Sequence, residues 1–80
     1  MSKRKLLMKV AKQYRNRVRD CRLLARIAKQ EDLAKTTGIN RSTINALENN
    51  RLFLSSPYAL LIAEALGCKL DELYEKQNTR

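Results

Sequence analysis

The sequence predicts an all-α fold, and three observations carry that prediction. Only two glycines and one proline interrupt the 80 residues, too few breakers for a turn-rich β fold. Apolar residues recur every three or four positions through most of the chain, the period of a helix face. The hydrophobic share of 44% suffices for one core, and a chain of this length forms a single small domain.

Taken in order, residues 1–5 make a polar, basic start. From Leu6 onward Leu7, Val10, Tyr14, Val18, Cys21, Ala25 and Ala28 follow one another at helical steps. They predict a helix over at least residues 14–27, with Leu6 as its furthest start. A second helix begins near Gln30, where Glu31 and Asp32 suit the positive end of a helix dipole. Leu33, Ala34 and Thr37 share its inner face, and Gly38 stands where the helix must stop and the chain must turn. Asn40 is a good N-cap for a third helix. Ile39 before it and Ile44 after it are spaced as a hydrophobic staple, and Ile44 and Leu47 form that helix's inner face. Asn50 and Arg51 end it, since asparagine tolerates left-handed geometry. Leu52, Phe53 and Leu54 are expected to tuck under the body. Ser56 and Pro57 read as cap and first helical position of a fourth helix. Its buried stripe is Ala59, Ile62, Ala63 and Leu66, and Gly67 ends it. Leu70, Leu73 and Tyr74 belong to a short last helix, and residues 77–80 form a tail.

Charge is placed unevenly. The net charge is +9, and residues 1–26 hold ten bases and one acid, so the whole excess lies there. The remainder, with seven of each sign, is neutral. A basic third joined to a balanced body indicates which part meets a polyanion. No apolar run approaches the ~20 residues that span a bilayer, and no apolar signal-peptide stretch is present. A basic amphipathic start could also lie on an acidic membrane, but the same charge serves nucleic-acid binding. Cys21 and Cys68, with no histidine in the chain, supply no zinc-ligand pattern. They read as small apolar residues kept reduced in a cytoplasmic protein. With no histidine, no glycine-rich phosphate loop and no carboxylates clustered in an apolar setting, catalysis has little to stand on. The reading is therefore not an enzyme, with no cofactor, no metal and no small-molecule ligand.

Gln30, Leu33, Ala34, Gly38, Ile39, Ile44 and Leu47 fall at the spacing of a helix-turn-helix. The chain resembles the lambda repressor/Cro-like, or XRE-type, family over roughly residues 17–75. The sequence departs from that family at Lys29, where Ser or Thr commonly caps the second helix, in the slightly longer link over residues 27–29, and at Lys69, another usual Ser position. The resemblance implies a compact five-helix bundle of the lambda-repressor-like type. It comprises a helix-turn-helix domain over residues 16–76, a basic N-terminal extension over 1–15 and a C-terminal tail over 77–80. It further implies that the helix around residues 41–49 enters the major groove of double-stranded DNA. On that basis Arg41, Ser42, Asn45 and Ala46 are the base-reading positions. Arginine suits guanine, asparagine suits adenine and alanine suits a thymine methyl. Arg41 could instead touch phosphate, and Asn45 could be a solvated polar residue. Gln30, Thr43, Asn49 and Arg51 are expected at phosphates, joined by Lys3, Arg4 and Lys5 of the extension. Glu48, a carboxylate where phosphates would repel it, is expected to pair with an arginine such as Arg22.

Self-association follows from apolar residues that one short helix cannot bury. Leu61 stands where the family carries a polar residue, and Leu70, Leu73 and Tyr74 crowd the C-terminal helix. Clustered exposed apolar groups mark interfaces. The expectation is a homodimer with Leu73 and Tyr74 near its centre, the alternative being Leu61 packed under the N-terminal extension. The functional expectation is a cytoplasmic, sequence-specific, double-stranded DNA-binding transcriptional regulator, more specifically a repressor. Two alternatives stand beside it: a DNA-binding antitoxin or recombination accessory factor, and an RNA- or ribosome-associated basic protein.

Overall fold

A computed structural model describes residues 13–77. In chain order the elements are strand β1 (Tyr14–Asn16), helix α1 (Val18–Leu24), α2 (Gln30–Thr37), α3 (Arg41–Glu48), α4 (Ser56–Leu66), a 3-10 turn (Leu70–Leu73) and strand β2 (Tyr74–Lys76). The described residues are thus mostly helical. They hold four α-helices rather than five, plus a two-stranded sheet.

The first correction lies at residues 14–17. Instead of continuing a helix, Tyr14, Arg15 and Asn16 pair antiparallel with Lys76, Glu75 and Tyr74. Backbone bonds extend the ladder at both ends, from Gln77 N–H to the Gln13 carbonyl at 2.8 Å and from Arg17 N–H to the Leu73 carbonyl at 2.7 Å. Asn16 tips the choice, because its side chain offers the backbone a partner other than a helical one. Its Oδ1 accepts the Val18 N–H at 3.2 Å, so the helix begins only at Val18. The same helix stops early. Arg26 is left-handed, at φ 64, and the N–H of Ile27 reaches back to the Arg22 carbonyl at 3.0 Å. A non-glycine residue pays about 1–2 kcal/mol for that conformation, which the return of the chain toward α2 offsets. The expected helical extension from Leu6 through Val10 lies outside the described residues.

The second correction is at the other end. The expected fifth helix is one 3-10 turn, begun by the Lys69 N–H donating to Glu72 Oε1 at 2.9 Å. It gives way at Tyr74 to extended backbone, which β1 pairs. The connector is corrected too. Only Leu54 tucks in, while Leu52 and Phe53 stay exposed, Phe53 lying over the Tyr74 ring at 6.4 Å. Helix α4 starts one residue earlier than expected, with Ser55 at the cap position.

The core is built from most of the expected stripes, although Ala25 and Ala28 are exposed and Leu66 is only half-buried. Val18 and Cys21 of α1, Leu33 of α2, Ile44 and Leu47 of α3 and Ala59, Ile62 and Ala63 of α4 are buried together with Ile39, Leu54 and Leu73. Gly67 ends α4 at φ 66. Cys68 packs against this core beside Cys21. Burial pushes both thiols up from their ordinary value, so both stay protonated near neutral pH. No helix among the described residues is long and apolar enough to cross a membrane.

Candidate nucleic-acid interface

The turn between α2 and α3 is fixed by three local devices. Gly38 takes φ 76, and its N–H closes on the Ala34 carbonyl at 2.8 Å. The Thr37 hydroxyl donates to the Leu33 carbonyl at 2.8 Å and accepts the Ile39 N–H at 3.1 Å. Asn40 caps α3, its Oδ1 accepting from the Ser42 N–H at 2.9 Å. Ile39 and Ile44 are both buried, as a staple across the cap requires. Together these set the angle at which α3 leaves the turn.

Beneath α3 lies a buried ion pair. Arg22 of α1 grips Glu48 with two parallel bonds, Nε to Oε2 at 2.8 Å and Nη2 to Oε1 at 3.1 Å. Both side chains are almost wholly buried, 6% and 2% exposed. The other arginine nitrogen, Nη1, donates to the Ile27 and Ala28 carbonyls at 2.9 and 2.7 Å. One guanidinium therefore ties α1, the link to α2 and the end of α3 together. The fork geometry suits arginine and not lysine. Glu48 is thus neutralised from within, as its place beside the expected interface demands.

Of the four expected reading residues, Arg41, Ser42 and Asn45 come together on the outer side of α3, and Ala46 does not line their hollow. Gln30, Arg41, Ser42 and Asn45 line one shallow hollow. Arg41 and Ser42 are exposed, while Asn45 and Ala46 are half-buried. Several of these groups are already bonded. The Ser42 hydroxyl donates to Asn40 Oδ1 at 2.7 Å, which leaves its oxygen as an acceptor. Gln30 Nε2 donates to Asn45 Oδ1 at 3.2 Å and to Glu48 Oε1 at 3.0 Å. Asn45 Oδ1 also accepts from Asn49 Nδ2 at 3.1 Å. The Asn45 oxygen is therefore occupied, and its amide N–H groups are the outward donors. Thr43 is half-buried, and Asn49 and Arg51 are exposed at the far end of α3. Lys3, Arg4 and Lys5 lie outside the described residues.

Asn16 is the residue beside this face whose role in holding α3 sequence reading missed. Its Nδ2 donates to the Leu47 carbonyl, and its backbone N–H donates to Asn50 Oδ1 at 3.0 Å. Asn50 is left-handed, at φ 56, and turns the chain at the end of α3. A strand from the start of the chain thus clips the C-terminal end of α3. Its one signal in the sequence is a polar cap-forming residue inside a helix-like pattern.

The expected dimer residues separate. Leu61 and Leu70 are exposed, 44% and 43%. Tyr74 is half-buried, and its hydroxyl donates to the Leu54 carbonyl. Leu73 is fully buried in the chain's own core. It closes the gap between α1 and α4, so it has no surface left for a partner. Among the described residues no group of three or more His, Cys, Asp or Glu is placed to hold a metal ion.

Two short helices crossing at a glycine turn, with the second held outer face free, define a helix-turn-helix protein. The chain belongs to the helix-turn-helix family of the XRE type, whose family pattern matches residues 18–73. It is similar to the "Uncharacterized HTH-type transcriptional regulator MJ0272" of Methanocaldococcus jannaschii. The two are 40% identical over 45 residues, 56% of this chain and 68% of that protein. No solved structure matches it.

Proposed function

We propose that this chain is a transcriptional repressor that binds specific double-stranded DNA sites as a homodimer in the cytoplasm, reading the major groove with α3. The observation that carries this reading is the hollow formed by Gln30, Arg41, Ser42 and Asn45 on the outer face of a rigidly mounted helix. The groove admits a helix, and the groups on this face, two exposed and two half-buried, match base edges. Arg41 donates to guanine O6 and N7, Ser42 accepts, the Asn45 amide donates to an acceptor such as adenine N7, and Ala46 meets a thymine methyl. Family membership and the regulator named above support a DNA-binding regulator in general.

Phosphate contacts flank the readers. At Gln30 both amide hydrogens are occupied within the protein, so its contact falls to the free backbone N–H groups at the start of α2. Thr43, Asn49 and Arg51 flank α3, and Lys3, Arg4 and Lys5 supply an arm along the backbone. The protein acts by occupancy and not by catalysis. Selection of bound sequences from random duplex DNA tests the proposal. A palindromic motif with half-sites one helical turn apart is expected. Recovery of no motif, or preference for RNA over duplex DNA, overturns it.

A further inference from the structure

A major groove about 12 Å wide has phosphates on both walls. An eight-residue helix such as α3 is itself about 12 Å long. Arg41 and Ser42 stand at its N-terminal end, where Arg41 borders a polar hollow with Lys29 and Arg22, and Gln30 bonds further along it, at Asn45 and Glu48. The opposite end carries a second polar hollow, and β1 and α1 build it. Arg15, Arg17 and Arg19 line it together with Asn16, Asn49, Asn50 and the carboxylates of Asp20, Glu48 and Glu75. Arg51 borders the adjoining recess with Arg15 and Asn50.

The charges in this second hollow do not cancel. Glu48 belongs to Arg22, and Asp20 lies 3.8 Å from Arg17. Glu75 sits across the ladder from Arg15. The lining matches three arginines to three carboxylates, but Arg22 neutralises Glu48 from beneath. Arg15, Arg17 and Arg19 therefore stand against Asp20 and Glu75, and Arg51 in the adjoining recess raises the excess to two. Arg15, Arg19 and Arg51 are exposed, and among the described residues they form no ion pair. Asn16 fixes their place. It holds β1 against the end of α3 by its bonds to Leu47 and Asn50, and its Oδ1 sets where α1 begins. Arg15 is its neighbour, and Arg19 follows in the first turn of α1.

We propose that Arg15 and Arg19 form a phosphate-binding site at the C-terminal end of α3, gripping the far wall of the groove that α3 occupies. Arg51 completes that wall. This rests on the major-groove reading above. It assigns the β-ribbon, through which the fold departs from an all-helical bundle, to DNA positioning. The ligand chemistry is the phosphodiester backbone, so the contact adds affinity and register without reading bases.

The test is a salt series of operator binding with the full chain. Removing both guanidiniums (Arg15→Ala with Arg19→Ala) eliminates two phosphate contacts per subunit. At about 0.9 unit of log–log salt slope per contact, a dimer should lose roughly 3–4 units. Base preference on single-base operator variants should be unchanged. The paired lysine substitutions (Arg15→Lys with Arg19→Lys) should keep nearly the full slope, which separates lost charge from lost folding. Methylphosphonate-substituted operator, neutral at the far wall, should make the unchanged chain and the alanine pair bind alike. An unchanged slope with operator preference intact overturns this inference alone. An altered preference at one base pair overturns it in favour of groove entry. Failure of the unchanged chain to bind duplex DNA removes the major-groove reading itself and this inference with it.

Discussion

Glu48 shows how one buried charge is governed by its partners. Its carboxylate lies under a helix proposed to face phosphates, and the Arg22 fork and the Gln30 amide satisfy it. Removing one member leaves the other charge buried and unpaired. Glu48→Ala is therefore expected to cost ~3–5 kcal/mol, a large share of the ~5–15 kcal/mol a domain has. Chemical denaturation reads this as a drop in midpoint. A cost below ~1 kcal/mol, the range of exposed pairs, would show that the pair is solvated. Arg41 is the opposite case, an exposed cation without a partner among the described residues. If it pairs with guanine, Arg41→Ala costs ~1–3 kcal/mol on the operator and relaxes preference at one base pair per half-site. Affinities over single-base operator variants check this. Uniform weakening across the series would reassign Arg41 to phosphate.

At the scale of elements, α3 is held at both ends by different means. Asn40 caps its start, and Asn16 closes its end from another part of the chain. Asn16→Asp keeps an acceptor for Val18 N–H but loses the donor to the Leu47 carbonyl. It also sets a negative charge at the negative end of the helix dipole. The expected cost is ~1–3 kcal/mol for the unpaired group, with specific binding weakened more than non-specific. Thermal melts and the ratio of operator to random-DNA affinity check it. An unchanged ratio would mean that the clip serves stability only. The start of α3 was legible in the sequence because its devices are local: Gly38, Asn40 and the Ile39–Ile44 pair act within one or two turns. Its end was legible in part, since Asn50 turns the chain in the left-handed conformation expected of it, but the clip from Asn16 to Leu47 was not, because the two are far apart in the chain. The strands were hidden for the same reason. A three-residue strand shows no period, and β1 pairs with β2 across almost the whole described chain. The early end of α1 was hidden because Arg26 takes a conformation that its residue type does not announce. The proposed reading residues came from the family resemblance, and the fold leaves Arg41 and Ser42 exposed and Asn45 and Ala46 half-buried. That Asn45 and Gln30 bond to each other was not readable, because it depends on how α2 crosses α3.

At the scale of the whole molecule, the apolar surface decides how subunits meet. Leu73 is buried in the core, so Leu73→Asp destroys the fold and says nothing of association. Leu23 and Leu24 of α1 and Leu52 and Phe53 of the connector are exposed, and so are Leu60 and Leu61 of α4, 56% and 44% exposed, and Leu70 of the 3-10 turn at 43%; the dimer expectation falls on Leu61 and Leu70. Leu60 and Leu61 are neighbours on α4 and lie on the side turned away from Ile62 and Ala63. A two-fold dimer through this patch would join two copies of α3 on one DNA duplex. Linking two half-site contacts turns the second into an intramolecular event and raises overall affinity by 10²–10⁴. Leu61→Asp is therefore expected to yield a monomer that melts close to the unchanged chain, since its side chain is not in the core. On a palindromic operator it should lose roughly 10²–10⁴ in affinity and keep its affinity for an isolated half-site. Sedimentation of both chains, free and on the operator, reads the oligomeric state directly. A wild-type chain that sediments as a monomer at tens of micromolar, a weak affinity on the usual scale, and also as one copy per operator would remove the dimer. Loss of half-site affinity together with a lowered melting temperature would place Leu61 in the fold and not at a subunit boundary.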